Sequence, residues 1–236
     1  MTLPFDLEPM AALWMAAAVL VAGFVRGYSG FGYSAMVIAA SSLVTSPLNF
    51  IAVVVLLEAA MSAQAWKGAG PSVDWRRVIL LLVGAALGLP LGLWALTAIS
   101  EDAARAVISG YVLVMCGVLL AGWRLGREVR GPGNVAAGVV SGLANAPGMG
   151  GLPLAAFFAA QPMPASVFRA TLIAYFPLLD LYSGPLYFLA GLVSWDTLWA
   201  ALWLLPLTAL ANWLGGRHFF GTDPREFRRF AILLLA

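Results

Sequence analysis

The chain has a single cysteine (Cys116), a single histidine (His218) and a single lysine (Lys67), and only 10% of its residues are charged. One cysteine excludes an intrachain disulfide, and one cysteine with one histidine cannot build a zinc site of Cys/His ligands or a linked Cys-His centre within one chain. The sequence contains no G-x-S-x-G, no H-E-x-x-H and no G-x-x-x-x-G-K-[ST], so its serines, aspartates and arginines form no recognised catalytic set. The reading is therefore not an enzyme, and nothing calls for a cofactor or a metal. A formal net charge of +2 with no run of like charges gives neither the basic patch that binds nucleic acid nor a disordered charged tail. The first ten residues, MTLPFDLEPM, carry two acids and no basic residue, so they lack the positive n-region of a cleavable signal peptide. Met1 to Pro9 reads as a short polar lead into the first apolar run.

What the chain has in abundance is apolar surface: 62% hydrophobic residues and a mean hydropathy of +0.91. Soluble domains hold roughly 45–50% apolar and ~25% charged residues, so this composition belongs to an all-α polytopic membrane protein. The lipid bilayer is its first partner. Runs of about 17–25 apolar residues cross a bilayer as helices, and the predicted full spans are Phe50 to Trp66, Val78 to Ile99, Ala103 to Trp123, Val167 to Ala190 and Trp195 to Trp213. Tryptophans mark their ends at Trp66, Trp75, Trp123, Trp195 and Trp213, where the ring prefers the headgroup level. A further run begins at Phe230 and reaches only Ala236. Seven residues cannot cross, so the last helix is expected to continue beyond this sequence.

Two segments are interrupted: Met10 to Thr45 at RGYSGFG, and Val135 to Ala160 at NAPGMGG (Asn145 to Gly151). The halves of the second, roughly 11–13 residues, give about 16–20 Å of helix against a hydrocarbon core of ~30 Å. A re-entrant helical hairpin is expected, because broken backbone at membrane depth survives only inside protein or around a cavity. Basic residues cluster at Lys67, Arg76 and Arg77, at Arg124, Arg127 and Arg130, and at Arg217, Arg225, Arg228 and Arg229. The positive-inside rule puts all three clusters in the cytoplasm, and the count of crossings agrees only if Val135 to Ala160 is a hairpin. The predicted organisation is a single membrane domain with two inverted-topology repeats, residues 1–123 and 135–236, each a hairpin plus three spans, joined by a cytoplasmic linker at 124–134. The alignment of Gly30 with Gly148 and Gly32 with Gly150 supports the pairing, and inverted repeats with paired broken helices mark transporters.

The same glycines have a packing alternative, since small residues at every fourth position let membrane helices approach closely; Gly84, Gly88 and Gly92, Gly23 with Gly27, and Gly138 with Gly142 fit it. Gly30, Gly32, Gly148, Gly150 and Gly151 differ in lying at the two breaks, where a restarting helix offers unsatisfied N–H groups and a partial positive charge to an anion. Each such end contributes ~0.3–1 kcal/mol, up to about 2 when partly buried. Tyr28, Ser29, Ser34 and Asn145 are neutral donors beside them. Arg26 costs roughly 2.5–3.5 kcal/mol at membrane depth, so it is expected to face a cavity; the alternatives are snorkelling, or pairing with Glu58 or Asp180. Arg169 is a second candidate, although positive-inside alone accounts for it. Glu58 and Asp180 lie within spans, where carboxylates kept from water can take up protons, a property suited to proton coupling. Their alternative is a structural role as partners of Arg26 or Arg169.

With the hairpins RGYSGFGYS and GMGGLP, and with FRAT (Phe168 to Thr171) opening the next span, the chain resembles the sulfite exporter TauE/SafE family over nearly its whole length. The resemblance implies a multi-pass protein of the bacterial inner membrane that moves sulfite or other small sulfur-containing anions such as organosulfonates. It also brings Gly30, Gly32, Gly148, Gly150, Gly151, Arg169 and Thr171 near the substrate path. Tyr33 follows the first G-F-G where the second motif has Gly151, so an asymmetric site is expected. The reading is a secondary transporter working by alternating access. A passive anion channel and a membrane-embedded scaffold or sensor subunit are the alternatives.

Overall fold

Chain entry and exit set the helices first. The computed structural model describes residues 4–122 and 124–219, which form nine α-helices and no strand. In order they are α1 (Pro9–Ser29), α2 (Tyr33–Ser41), α3 (Pro47–Ala69), α4 (Trp75–Thr97), α5 (Glu101–Leu120), α6 (Pro132–Asn145), α7 (Gly151–Ala159), α8 (Ala165–Leu189) and α9 (Trp195–Phe219). Trp123, Arg225, Arg228, Arg229 and the run from Phe230 lie outside the described residues. Proline opens α1, α3 and α6, where its fixed φ suits the first turn and its missing N–H costs nothing. Asp74 caps α4 by accepting the Arg77 N–H at 3.0 Å.

Helices α3, α4, α5, α8 and α9 stand where the five spans are expected, and both interruptions fall where the sequence puts them. Among the described residues five helices are long and apolar enough to cross a membrane, α1, α3, α4, α8 and α9; α5, expected as a full span, is not one of them, its first turns carrying Glu101, Asp102 and Arg105. The two hairpins are unequal. α1 has 21 residues and is long enough to cross alone, whereas α6 has 14. Each second arm, α2 and α7, has 9 residues.

Both second arms double back. The Trp14 indole of α1 donates to the Ala40 carbonyl of α2 at 3.0 Å, so α2 returns alongside the first half of α1. The second hairpin closes on the linker: Leu125 N–H donates to the Ala160 carbonyl at 2.6 Å and Val129 N–H to Gln161 Oε1 at 2.9 Å. Asn134 Nδ2, at the start of α6, reaches the Val129 carbonyl at 3.3 Å. Both feet of this hairpin therefore stand on one short segment, beside the N-terminal end of α4.

Close helix packing explains the repeated glycines. A Cβ at Gly84, Gly88 or Gly92 of α4 would run into the backbone of Val135, Val139 or Leu143 of α6, and one at Gly138 or Gly142 into Leu81 or Ala85. Gly27 of α1 bears the same relation to Asn212 of α9, and Gly215 of α9 to Phe24, while a Cβ at Gly23 would meet the Ala211 side chain at 3.0 Å. In both pairs the numbers rise together, so the helices run parallel. Backbone-to-backbone approach is what stabilises association where lipid supplies no hydrophobic drive between helices. These two pairs are the most extensive interfaces of the fold, and α3 against α8 forms its centre.

Candidate functional site

The first break is built by two glycines and a serine. Gly30 (φ 87°) and Gly32 (φ 92°) take left-handed backbone, which a side chain would strain. The Gly30 N–H returns to the Arg26 carbonyl at 2.7 Å. Ser29 Oγ donates to the Val25 carbonyl at 2.8 Å and accepts the Phe31 N–H at 3.3 Å, so this hydroxyl serves the turn. Tyr28 is buried with its ring 5.8 Å from that of His218.

This turn presents Arg26, only 4% exposed, to the interior. Its Nη1 lies 3.4 Å from Glu58 Oε1 of α3, and its Nη2 donates to Ser62 Oγ at 2.5 Å. The guanidinium also covers the ring of Phe176 at 5.3 Å, a cation–π arrangement favoured when water is excluded. Glu58 in turn faces the backbone N–H and hydroxyl of Ser34, at the start of α2. The anion at the N-terminus of α2 is thus a carboxylate of the chain itself.

Arg169, also buried, donates from Nη2 to the Gly27 carbonyl at 2.8 Å. A Cβ at Gly30 would come within 3.2 Å of Arg169 Cγ, so the absence of a side chain there lets the break lie against this arginine. Arg26 and Arg169 line one cavity of about 250 Å³, together with Gly30, Ser62, Asn212 and Arg217 among others. Arg217 stacks over the Trp213 ring at 4.6 Å, and Asn212 Nδ2 donates to Gln64 Oε1 at 2.7 Å. Among the described residues no carboxylate lines the cavity, and Met61, Ala65 and Ile173 supply apolar wall. Such a chamber suits a small anion: cationic and amide donors converge, and low dielectric strengthens each contact.

The second break holds no cation among the described residues. Gly148 is left-handed (φ 77°), and the Tyr187 hydroxyl donates to the Asn145 carbonyl. Ser141 Oγ lies 2.8 Å from the Gly150 carbonyl and 3.0 Å from the Tyr175 hydroxyl. Gly150 packs against Asn145 and Ser141, where a Cβ would crowd the Ser141 carbonyl. The Asn145 side-chain nitrogen is buried with no hydrogen-bond partner among the described residues, as is Asp180 Oδ2. The two breaks meet: a Cβ at Gly151 would sit 3.1 Å from the Phe176 ring and 3.8 Å from Phe31 Cβ.

Of the residues singled out in the sequence, Arg26, Gly30 and Arg169 line the cavity. Tyr28, Ser29, Gly32, Ser34 and Glu58 are buried around the first break and do not line it. Asn145, Gly148, Gly150, Gly151 and Asp180 belong to the buried surroundings of the second. Thr171 ties α8 to the start of α4, its Oγ1 accepting the Asp74 N–H at 3.2 Å. Ser62, Gln64, Asn212, Arg217 and Phe176 were not singled out for the site. Ser62 had a readable signal, since it lies one helical turn after Glu58 on the same face of α3; Asn212 is the lone amide of an apolar span; Arg217 reads as a topology marker.

The family model for the sulfite exporter TauE/SafE family matches residues 15–236. No curated protein and no solved structure matches the chain. Broken helices paired across an all-helical membrane fold accompany a match over nearly the whole length, and the chain belongs to the sulfite exporter TauE/SafE family, a family of membrane transporters for sulfite and sulfur-containing anions.

Proposed function

We propose that the chain is a secondary transporter that carries a small anion, sulfite or an organosulfonate, across the bacterial inner membrane by alternating access. The observation that carries this reading is the pair of buried arginines, Arg26 and Arg169, in a cavity lined by no carboxylate among the described residues. Burial of two cations is expensive and persists where a partner or a substrate compensates it.

Packing supports two inverted repeats, residues 1–123 and 135–236. Exchanging the halves turns the α1–α9 interface into α6–α4 and the α3–α9 interface into α8–α4, while α3–α8 maps onto itself. The feet of the second hairpin stand beside Arg76, Arg77, Arg127 and Arg130, which the positive-inside rule assigns to the cytoplasm. Alternating access then follows as movement of one hairpin-bearing half against the other.

Uptake of labelled sulfite and of an organosulfonate into proteoliposomes tests the reading. Saturable uptake that competing sulfur anions suppress is the expected result; no flux, or flux linear in concentration, refutes it. Cysteines introduced at Trp75 and Arg130 should react with a membrane-impermeant reagent from the cytoplasmic side only, and labelling from opposite sides would break the topology.

A further inference from the structure

Arg26 lines the cavity, yet its guanidinium is already engaged by Glu58 at 3.4 Å, by Ser62 at 2.5 Å and by the face of Phe176. An anion entering the cavity therefore competes with a carboxylate of the chain for the same cation. Arg26, Arg169, Glu58 and Asp180 are each no more than 6% exposed. A further negative charge in this dry interior is costly unless a proton accompanies it.

We propose that Glu58 is the proton-linked counter-ion of the transport site: the substrate anion takes over Arg26, and a proton from cavity water neutralises the Glu58 carboxylate that it displaces. One proton is taken up per anion bound, and no covalent bond to the substrate forms or breaks. This rests on the anion-transport reading and adds the coupling to it.

The groups around Glu58 fit both states. From α1 it faces Arg26; from α2, Ser34 and Tyr33; from α8, Asp180 and Tyr187. Thr208 of α9 stands behind, 3.5 Å from the Tyr33 hydroxyl. A protonated Glu58 still accepts from the Ser34 N–H and hydroxyl, so it keeps a place at the start of α2 after Arg26 turns to the substrate. Burial supplies the reason for the proton. Glu58 is only 4% exposed and Arg26 is its one ion-pair partner among the described residues, so withdrawing Arg26 leaves a carboxylate in a dry interior with no cation against it, and neutralising it relieves that cost.

Isothermal titration of purified protein with methanesulfonate, which stays fully ionised throughout, tests this in two buffers of different ionisation enthalpy. Wild type should take up about one proton per anion, with affinity falling about tenfold per pH unit as pH rises through the linked range. Glu58→Gln, which keeps the Ser34 contacts, should bind without proton uptake and independently of pH; Asp180→Asn should retain the uptake. Wild-type binding with no proton uptake overturns the coupling and leaves the anion site standing, and so does uptake that survives Glu58→Gln. Failure of wild type to bind methanesulfonate at any pH, together with absence of sulfite flux, overturns both.

Discussion

The two breaks are built on one plan and filled with opposite chemistry. Gly27 packs on α9 as Gly142 packs on α4, and the residue before each is Arg26 in the first half and Ser141 in the second. Gly30 lies against Arg169 of α8, whereas Gly148 lies nearest Ile51 of α3, with Ile51 Cγ2 3.9 Å from where a Cβ would be. Two arginines on one side are thus replaced by a hydroxyl and an aliphatic side chain on the other. The hydroxyl is consumed locally by the Gly150 carbonyl and Tyr175. The scaffold is repeated and the charge is not. Under the transport mechanism proposed above, this arrangement gives one strong anion site in place of two equivalent half-sites.

The comparison is broken most forcefully at Arg26. Arg26→Ala leaves Glu58 buried and unpaired, which costs about 3–5 kcal/mol when one partner of a buried pair is removed. The expected outcome is a large loss of thermal stability together with loss of anion uptake. Adding Glu58→Gln should restore most of the stability and none of the uptake, separating the structural role of the pair from its transport role; denaturation in detergent and proteoliposome flux read the two.

Next in size is the shared scaffold. Gly88→Leu, on the α4–α6 interface, and Gly27→Leu, on the α1–α9 interface, push a side chain into facing backbone. Overpacking of this kind costs typically 1–3 kcal/mol, and more where neither backbone can yield. Both variants should lose folded protein by size-exclusion profile, to a similar extent, if the two interfaces are equivalent.

Three further substitutions sharpen the asymmetry. Arg169→Gln should weaken anion binding about tenfold or more, as expected for loss of a charge-assisted contact worth roughly 1.5–3 kcal/mol. Ile51→Ala should lower stability by the 2–5 kcal/mol of a buried aliphatic truncation while leaving affinity unchanged. Thr171→Ala should be the mildest, about 1 kcal/mol of stability from the lost Asp74 hydrogen bond, with the anion affinity of wild type in a direct binding titration.

The fold was largely legible because its determinants are local. Apolar run length fixed α3, α4, α8 and α9, glycine clusters fixed both breaks, and every-fourth-residue glycines marked the helices that pack in parallel. The site was legible only in its costly members. Arg26, Arg169, Glu58 and Asp180 stand out because charge at membrane depth is rare. Ser62, Asn212 and Phe176 are ordinary residues whose importance comes from helices 36 to 186 positions from Arg26 in the chain, and no local pattern encodes that meeting. The sequence did suggest that α2 offers its N-terminus to an anion; it could not reveal that Glu58 already occupies the place.

The most direct measurement of the central claim is sulfite flux through proteoliposomes containing wild type, Arg26→Ala/Glu58→Gln or Ser141→Ala, each verified as folded. A single cationic site in the first half predicts saturable flux in wild type, near-wild-type flux in Ser141→Ala and none in the Arg26 variant. Undiminished flux in the Arg26 variant would contradict the account.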